Sequence, residues 1–233
     1  MNNSKTIPRQ ATAVPLMALL FASAVAVALT VVRVEWTGNW RYLSLAWNLF
    51  LAWLPLAFAL AVHHRHQRGE RHGWRLYSLA SLWLLFLPNA PYIFTDLIHL
   101  TTRFFPHFWV DLTLVLLVAL TGFLLGFMSL YLMQSIVAER LGKTAGWLFI
   151  LGSTALSSYG IYLGRFLRWN SWDVVVHPFG LSHDIGQLAA HPLAHPHSLA
   201  FLGLFATFLF LGYLMLYALT HLQPAPQHNT AVT

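Results

Sequence analysis

The chain has 233 residues, of which 58% are hydrophobic and only 9% are charged, and its formal net charge is +6. A soluble domain carries about 25% charged residues, so these few charges cannot cover a surface that faces water on all sides. Lipid must therefore cover part of the chain. Because the chain has no cysteine, disulfides and thiol chemistry are excluded.

Six apolar stretches are long enough to cross a bilayer, which needs about 20 helical residues. Their residues do not alternate as in a strand, so we predict an all-α transmembrane bundle of about six spans. It forms a single integral membrane domain over residues 12–222, with a cytoplasmic tail at 1–11 and a flexible tail at 223–233. The spans are Pro15–Val32, Tyr42–Val62, a third from Trp74, Leu112–Val137, Ala145–Phe166 and Leu199–Leu219.

The basic residues are distributed unevenly along the predicted topology. With both termini in the cytoplasm, the inner segments carry eight Lys or Arg residues and two acids, whereas the outer segments carry five of each. Basic residues favour the cytoplasmic side of a membrane. The net charge therefore indicates orientation and membrane lipids as partners, and it does not indicate binding of nucleic acid.

Two prolines interrupt the third span. From Trp74 to Leu87 there are 14 residues, about 21 Å of helix against a bilayer core of about 30 Å. Pro88 and Pro91 lack backbone donors and clash with preceding carbonyls. We therefore predict a span broken at Pro88–Pro91, where the amide of Asn89 satisfies carbonyls that lose their helical partners.

A polar stripe follows this break. Asp96, His99 and Arg103 recur at i, i+3 and i+7 of a second helical piece that Pro91 can open. Broken helices and ionisable residues at membrane depth are typical of ion and substrate sites. The alternative is a kinked span whose stripe reaches the headgroups. Asp96 and His99 are too few ligands for a zinc site, and no metal or cofactor is predicted.

Small residues recur at GxxxG spacing in the fourth and fifth spans. Gly122 and Gly126 form one step, and Gly160 and Gly164 form the other. Such steps let helices approach closely. They predict tight packing in the bundle and offer contacts for an oligomer.

A second polar motif follows the fifth span, where Arg165, Arg168, Asn170 and Asp173 lie among tryptophans. Paired guanidiniums beside indoles favour a phosphate or carboxylate ligand, such as an anionic or lipid-linked substrate. The alternatives are snorkelling arginines in an aromatic belt, or internal pairing with Asp96, Asp111 or Asp173.

The last outer loop is rich in histidine but shows no standard metal-site spacing, and its prolines oppose a single helix. We expect a flexible polar loop there. Its histidines are His177, His183, His191, His195 and His197.

The sequence contains no standard motif of a soluble enzyme, and whether the chain is an enzyme stays open. Three functions fit: binding or transport of a small solute or ion, an enzyme or binder for an anionic lipid or lipid-linked substrate, and a structural subunit. The residues predicted to converge near the outer leaflet are Asn89, Asp96, His99, Arg165, Arg168, Asn170 and Asp173.

The stretches LPNAPYIFTDLIHL (87–100) and YLGRFLRWNSWD (162–173) resemble the domain-of-unknown-function 1361 family of bacterial integral membrane proteins. The resemblance covers roughly Leu43–Leu219. It implies a multi-pass protein of the bacterial cytoplasmic (inner) membrane, and it implies no activity, substrate or catalytic residue.

Overall fold

The computed structural model describes residues 9–70, 72–102, 107–190 and 196–221, and this part is helical without strands. The predicted all-α bundle is confirmed. The C-terminal tail at 223–233 and most of the N-terminal tail lie outside the described residues. The α-helices are α1 (Arg9–Thr37), α2 (Leu43–Gln67), α3 (Trp74–Phe86), α4 (Asn89–Tyr92), α5 (Phe108–Leu141), α6 (Lys143–Phe166), α7 (Asp173–Val176), α8 (Pro178–Ala190) and α9 (Pro196–Thr220). Two 3₁₀-helices are η1 (Trp40–Tyr42) and η2 (Ile93–Thr102).

Five helical segments in the described part are long and apolar enough to cross a membrane. The sixth predicted span corresponds to α6, whose 24 residues would reach about 36 Å. Glycine, serine and threonine make this helix less apolar, and the count of six spans stays a prediction. The five segments are Ala13–Thr37, Trp40–Gln67, Trp74–Ile98, Phe108–Leu141 and His197–Thr220.

The long helix α5 is the centre of the bundle. It packs against α1, α2, α4, η2, α6 and α9. Its Val118, Ala119 and Leu125 are completely buried, as are Ala52 and Leu56 on α2. Because lipid tails are as apolar as these side chains, close packing rather than escape from water holds the helices together.

The predicted break in the third span is confirmed. Helix α3 ends at Phe86, the one-turn helix α4 follows, and the chain continues as η2. The second piece is a 3₁₀-helix and not the α-helix on which the polar stripe was predicted. A 3₁₀-helix has three residues per turn, so residues i and i+3 align along it. Asp96 lies on this 3₁₀-helix, whereas Arg103 and the side chain of His99 lie outside the described residues.

The glycines of α5 make room for this break. A Cβ atom added to Gly122 would lie 2.6 Å from the carbonyl oxygen of Ala90, and one added to Gly126 would lie 3.0 Å from Ala90 Cβ. The helix therefore contacts the backbone of the interrupted segment directly.

The glycines of α6 contact the same segment from its other side. An added Cβ would lie 2.5 Å from Pro88 Cγ at Gly160 and 3.2 Å from Tyr92 Cε2 at Gly164. Both GxxxG steps are thus filled by contacts within one chain. This leaves no room there for a helix of a second copy, so an oligomer, which stays a prediction, would need another surface.

The prediction of a flexible loop after the second motif is wrong for residues 173–190, most of which form the helices α7 and α8. Pro178 occupies the first position of α8, where its missing donor costs no helical hydrogen bond. His191 and His195 lie outside the described residues. Within the described ranges, no three His, Cys, Asp or Glu residues are grouped as metal ligands.

We expect Gly160→Ala to lower the free energy of unfolding by about 1–3 kcal/mol, because its methyl group would clash with the rigid Pro88 ring. The free energy is measured by unfolding with SDS in mixed micelles. Gly152→Ala, on the same helix with open space around the added Cβ, is the control and should change it by no more than about 1 kcal/mol. Equal effects would refute the packing argument.

Candidate functional site

The two sequence motifs are joined by hydrogen bonds at the break in the third span. Asn89 Nδ2 donates to the carbonyl oxygen of Phe86 at 3.0 Å and to Ser171 Oγ at 3.0 Å. Ser171 Oγ donates in turn to the carbonyl oxygen of Leu85 at 3.3 Å. The carbonyls at the end of α3 thus receive side-chain donors from both motifs, as the sequence predicted for Asn89.

An ion pair also joins the motifs. Arg165 Nη1 lies 3.2 Å from Asp96 Oδ1, and both side chains are largely buried. Asn48 Nδ2 on α2 donates to the other carboxylate oxygen at 3.0 Å. Asp96 and Arg165 are therefore brought together, which is the internal pairing considered among the alternatives.

Asp173 and Asn170 form a local turn at the start of α7. The backbone N–H of Asn170 donates to Asp173 Oδ2 at 2.7 Å, and Asn170 Nδ2 donates to the same oxygen at 3.3 Å. Exposed His177 approaches the other oxygen at 3.6 Å. These donors, led by the Asn170 backbone, stabilise the carboxylate and lower the pKa of Asp173.

Arg168 differs from Arg165 in its surroundings. Its side chain is exposed, and its backbone has φ +62°, in the left-handed region. The following N–H, that of Trp169, returns to the carbonyl oxygen of Leu163 at 3.1 Å and closes the end of α6. The two guanidiniums therefore have separate surroundings: Arg165 is held by Asp96, and Arg168 faces outward.

Both motifs line one cavity of about 200 Å³, and the first motif also lines a second cavity of about 280 Å³. Asn48 and Tyr92 line both, so the cavities adjoin. The first, called the motif cavity below, is lined among the described residues by Trp47, Asn48, Leu51, Leu85, Pro88, Asn89, Tyr92, Gly160, Leu163, Gly164, Trp169, Asn170, Ser171, Trp172, Val174 and Leu181. The second is lined by Arg41, Tyr42, Ser44, Leu45, Asn48, Tyr92, Asp96, Leu100, Asp111 and Val115.

A second buried ion pair supports the wall of the second cavity. Arg33 on α1 donates to Asp111 on α5 through Nε at 2.8 Å and through Nη2 at 3.1 Å. Tyr42 adds its hydroxyl to the same carboxylate at 3.0 Å. Asp111, named with Asp96 as a partner for the arginines of the second motif, is thus held by α1 instead.

Two residues of this arrangement were not among the predicted site residues. Ser171 stood inside the second motif without an assigned role, although Asn170 and Asp173 beside it were chosen as site residues. Asn48 is an amide within the apolar second span, and the cost of such a group in lipid is the signal that could have identified it. Of the predicted residues, Asn89 and Asn170 line the motif cavity and Asp96 lines the adjoining one.

The chain was compared with known protein families, curated proteins and solved structures. Residues 47–218, well over half of the chain, match the family described as "Protein of unknown function (DUF1361)". The chain belongs to this family. The matched residues include both motifs and every described lining residue of the motif cavity. They include the lining of the second cavity apart from Arg41, Tyr42, Ser44 and Leu45. No curated protein and no solved structure matches the chain.

We expect Ser171→Ala to lower the free energy of unfolding by about 1–3 kcal/mol, because the carbonyl of Leu85 and the amide of Asn89 each lose a partner. SDS unfolding measures it. Ser182→Ala is the matched control, since its hydroxyl donates to the exposed carbonyl of Phe179 within α8. A loss at Ser171 no greater than that at Ser182 would contradict the joining role.

Proposed function

We propose that this multi-pass membrane protein lies in the bacterial cytoplasmic membrane with both termini inside, and that it binds a small polar solute or ion at its outer end. The proposed site is the motif cavity with the adjoining cavity. Binding there would be the first step of transport. The observation that carries the proposal is that two long polar motifs, separated by more than sixty residues of the chain, enclose one polar cavity.

The chemistry of the walls supports a small polar ligand. Amide groups of Asn48, Asn89 and Asn170 stand beside the rings of Trp47 and Trp172. Pockets of this kind combine apolar area with a few placed polar groups that fix the orientation of a ligand.

The broken third span supports transport as the activity. Unwound segments at membrane depth are tolerated where they are buried in protein or line a cavity. They recur at the substrate sites of transporters. The motif cavity is lined by Pro88, Asn89 and Tyr92 of this segment. A ligand bound there would therefore contact the break in the third span.

A ligand carried by lipid is the second candidate. Arg168 is exposed at the end of α6, and it adopts a left-handed conformation that costs about 1–2 kcal/mol for a residue other than glycine. An arginine at a position that glycine would occupy without strain favours a role for its guanidinium, for which an anionic headgroup is the natural partner.

The orientation is tested with single cysteines in the naturally cysteine-free chain. In intact bacterial cells with a permeable outer membrane, a membrane-impermeant maleimide should label Phe179→Cys on α8. It should label Lys143→Cys, at the start of α6, only after the inner membrane is opened. Both positions are exposed. The reverse pattern would invert the proposed topology, and the parent chain controls for background labelling.

Access of small polar solutes is tested at α7. Val174 lines the motif cavity and is 42% exposed, whereas Val175 is 81% exposed and lies outside its lining. We expect 2-hydroxyethyl methanethiosulfonate, a small neutral reagent, to modify both Val174→Cys and Val175→Cys in purified protein. Reaction at Val175→Cys alone would show that small polar molecules do not enter the motif cavity, and it would refute the proposed function.

A further inference from the structure

The hydrogen bonds around the motif cavity leave a particular set of atoms for a ligand. The nitrogen of each amide in its wall already donates a hydrogen bond: Asn48 to Asp96, Asn89 to Phe86 and Ser171, and Asn170 to Asp173. Asn89 thereby uses both of its N–H groups, whereas Asn48 and Asn170 each use one of two within the described residues. The Oδ1 oxygens of the three amides accept no hydrogen bond within the described part of the chain.

The orientation of these amides is chemically fixed. Carboxylates and backbone carbonyls accept hydrogen bonds and cannot donate them. Each of the three amides faces at least one such acceptor through Nδ2, so exchanging nitrogen and oxygen would set two acceptors against each other. The Oδ1 atoms of Asn48 and Asn89 are also reached by solvent, since neither is among the fully buried atoms that lack a partner.

Charge behind the walls makes these oxygens stronger acceptors. Asn48 and Asn170 donate to carboxylates, and a donor bonded to a charged acceptor is polarised so that its own oxygen becomes more negative. The indole N–H of Trp169 likewise donates to Asp184 Oδ2 at 2.9 Å. Three carboxylates therefore lie one hydrogen bond behind the cavity wall.

Positive charge is less abundant at this wall. No Lys or Arg is among the described lining residues. Arg165 balances Asp96. Among the described residues, the one basic group near Asp173 is the exposed ring of His177, and the one partner of Asp184 is an indole. Arg168 is in solvent, where its field is screened.

The aromatic rings complete the pattern. Trp47, Tyr92, Trp169 and Trp172 all line the motif cavity. The faces of such rings are negative and attract cations, and the attraction grows when water is excluded. Amide oxygens, ring faces and carboxylates in a second layer together suit a ligand that is positively charged and rich in N–H donors.

We infer that the motif cavity binds a primary ammonium group. This inference rests on the proposed function and names the class of its ligand. The ammonium would donate to the amide oxygens of Asn48, Asn89 and Asn170 against the ring faces. Two sources share this chemistry: a free alkylamine in solution, and the ethanolamine headgroup of a lipid, whose phosphate would meet exposed Arg168.

Protection of Val174→Cys against 2-hydroxyethyl methanethiosulfonate tests this ligand class. We expect millimolar ethanolamine to slow modification at least about fivefold, and ethylene glycol, which replaces the ammonium with a hydroxyl, to leave it nearly unchanged. Inorganic phosphate should not protect either. Val175→Cys is the control, at which none of the three should change the rate. Protection by ethylene glycol equal to that by ethanolamine, or by phosphate, would overturn the inference.

A comparison of charged reagents gives a second measurement. Relative to their rates at Val175→Cys, 2-aminoethyl methanethiosulfonate should modify Val174→Cys at least about tenfold faster than the 2-sulfonatoethyl reagent. Equal relative rates would overturn the ammonium inference while leaving the proposed function intact. Failure of every reagent at Val174→Cys, with normal reaction at Val175→Cys, would overturn both.

The source of the amine is resolved by reconstitution. Slower modification of Val174→Cys in phosphatidylethanolamine vesicles than in phosphatidylcholine vesicles, whose headgroup has no N–H donor, would identify the lipid as the source. Equal rates in the two vesicles, with protection by dissolved ethanolamine, would identify a free amine. Equal rates without protection by ethanolamine would overturn the inference.

Discussion

A backbone carbonyl inside a membrane needs a donor, and the interrupted third span releases such carbonyls at the end of α3. Water cannot supply donors in the hydrocarbon region, so the chain must. Asn89 satisfies the carbonyl of Phe86 from within the break, and Ser171 satisfies that of Leu85 from another part of the chain. This requirement ties the segment after α6 to α3 and thereby builds one wall of the motif cavity.

The same break requires small residues on the neighbouring helices. A proline-containing segment is wider and less regular than a straight helix, and it approaches a neighbour closely only where that neighbour lacks side chains. Gly122 on α5 and Gly160 on α6 give this space on opposite sides of the segment. The GxxxG steps thus serve the internal packing of the bundle.

Two buried ion pairs place charged side chains around the two cavities. The Arg33–Asp111 pair joins α1 to α5, and the Arg165–Asp96 pair joins α6 to η2. Ion pairs of this depth gain little net stability over apolar packing, but breaking one partner is costly. Their geometric effect is to hold α1, α5, α6 and the broken span around a polar space, in which Asp96 and Asp111 line the second cavity.

The sequence alone determined the membrane class, the helical architecture, the break at Pro88–Pro91 and the two polar motifs, because hydropathy and proline stereochemistry act over short stretches of chain. It did not determine which arginine meets which acid, since charge balance allows many pairings. It also missed Asn48 and Ser171, whose importance depends on the carboxylate and the carbonyl they reach. Only the tertiary structure decided these partners, because each contact joins residues that lie far apart along the chain.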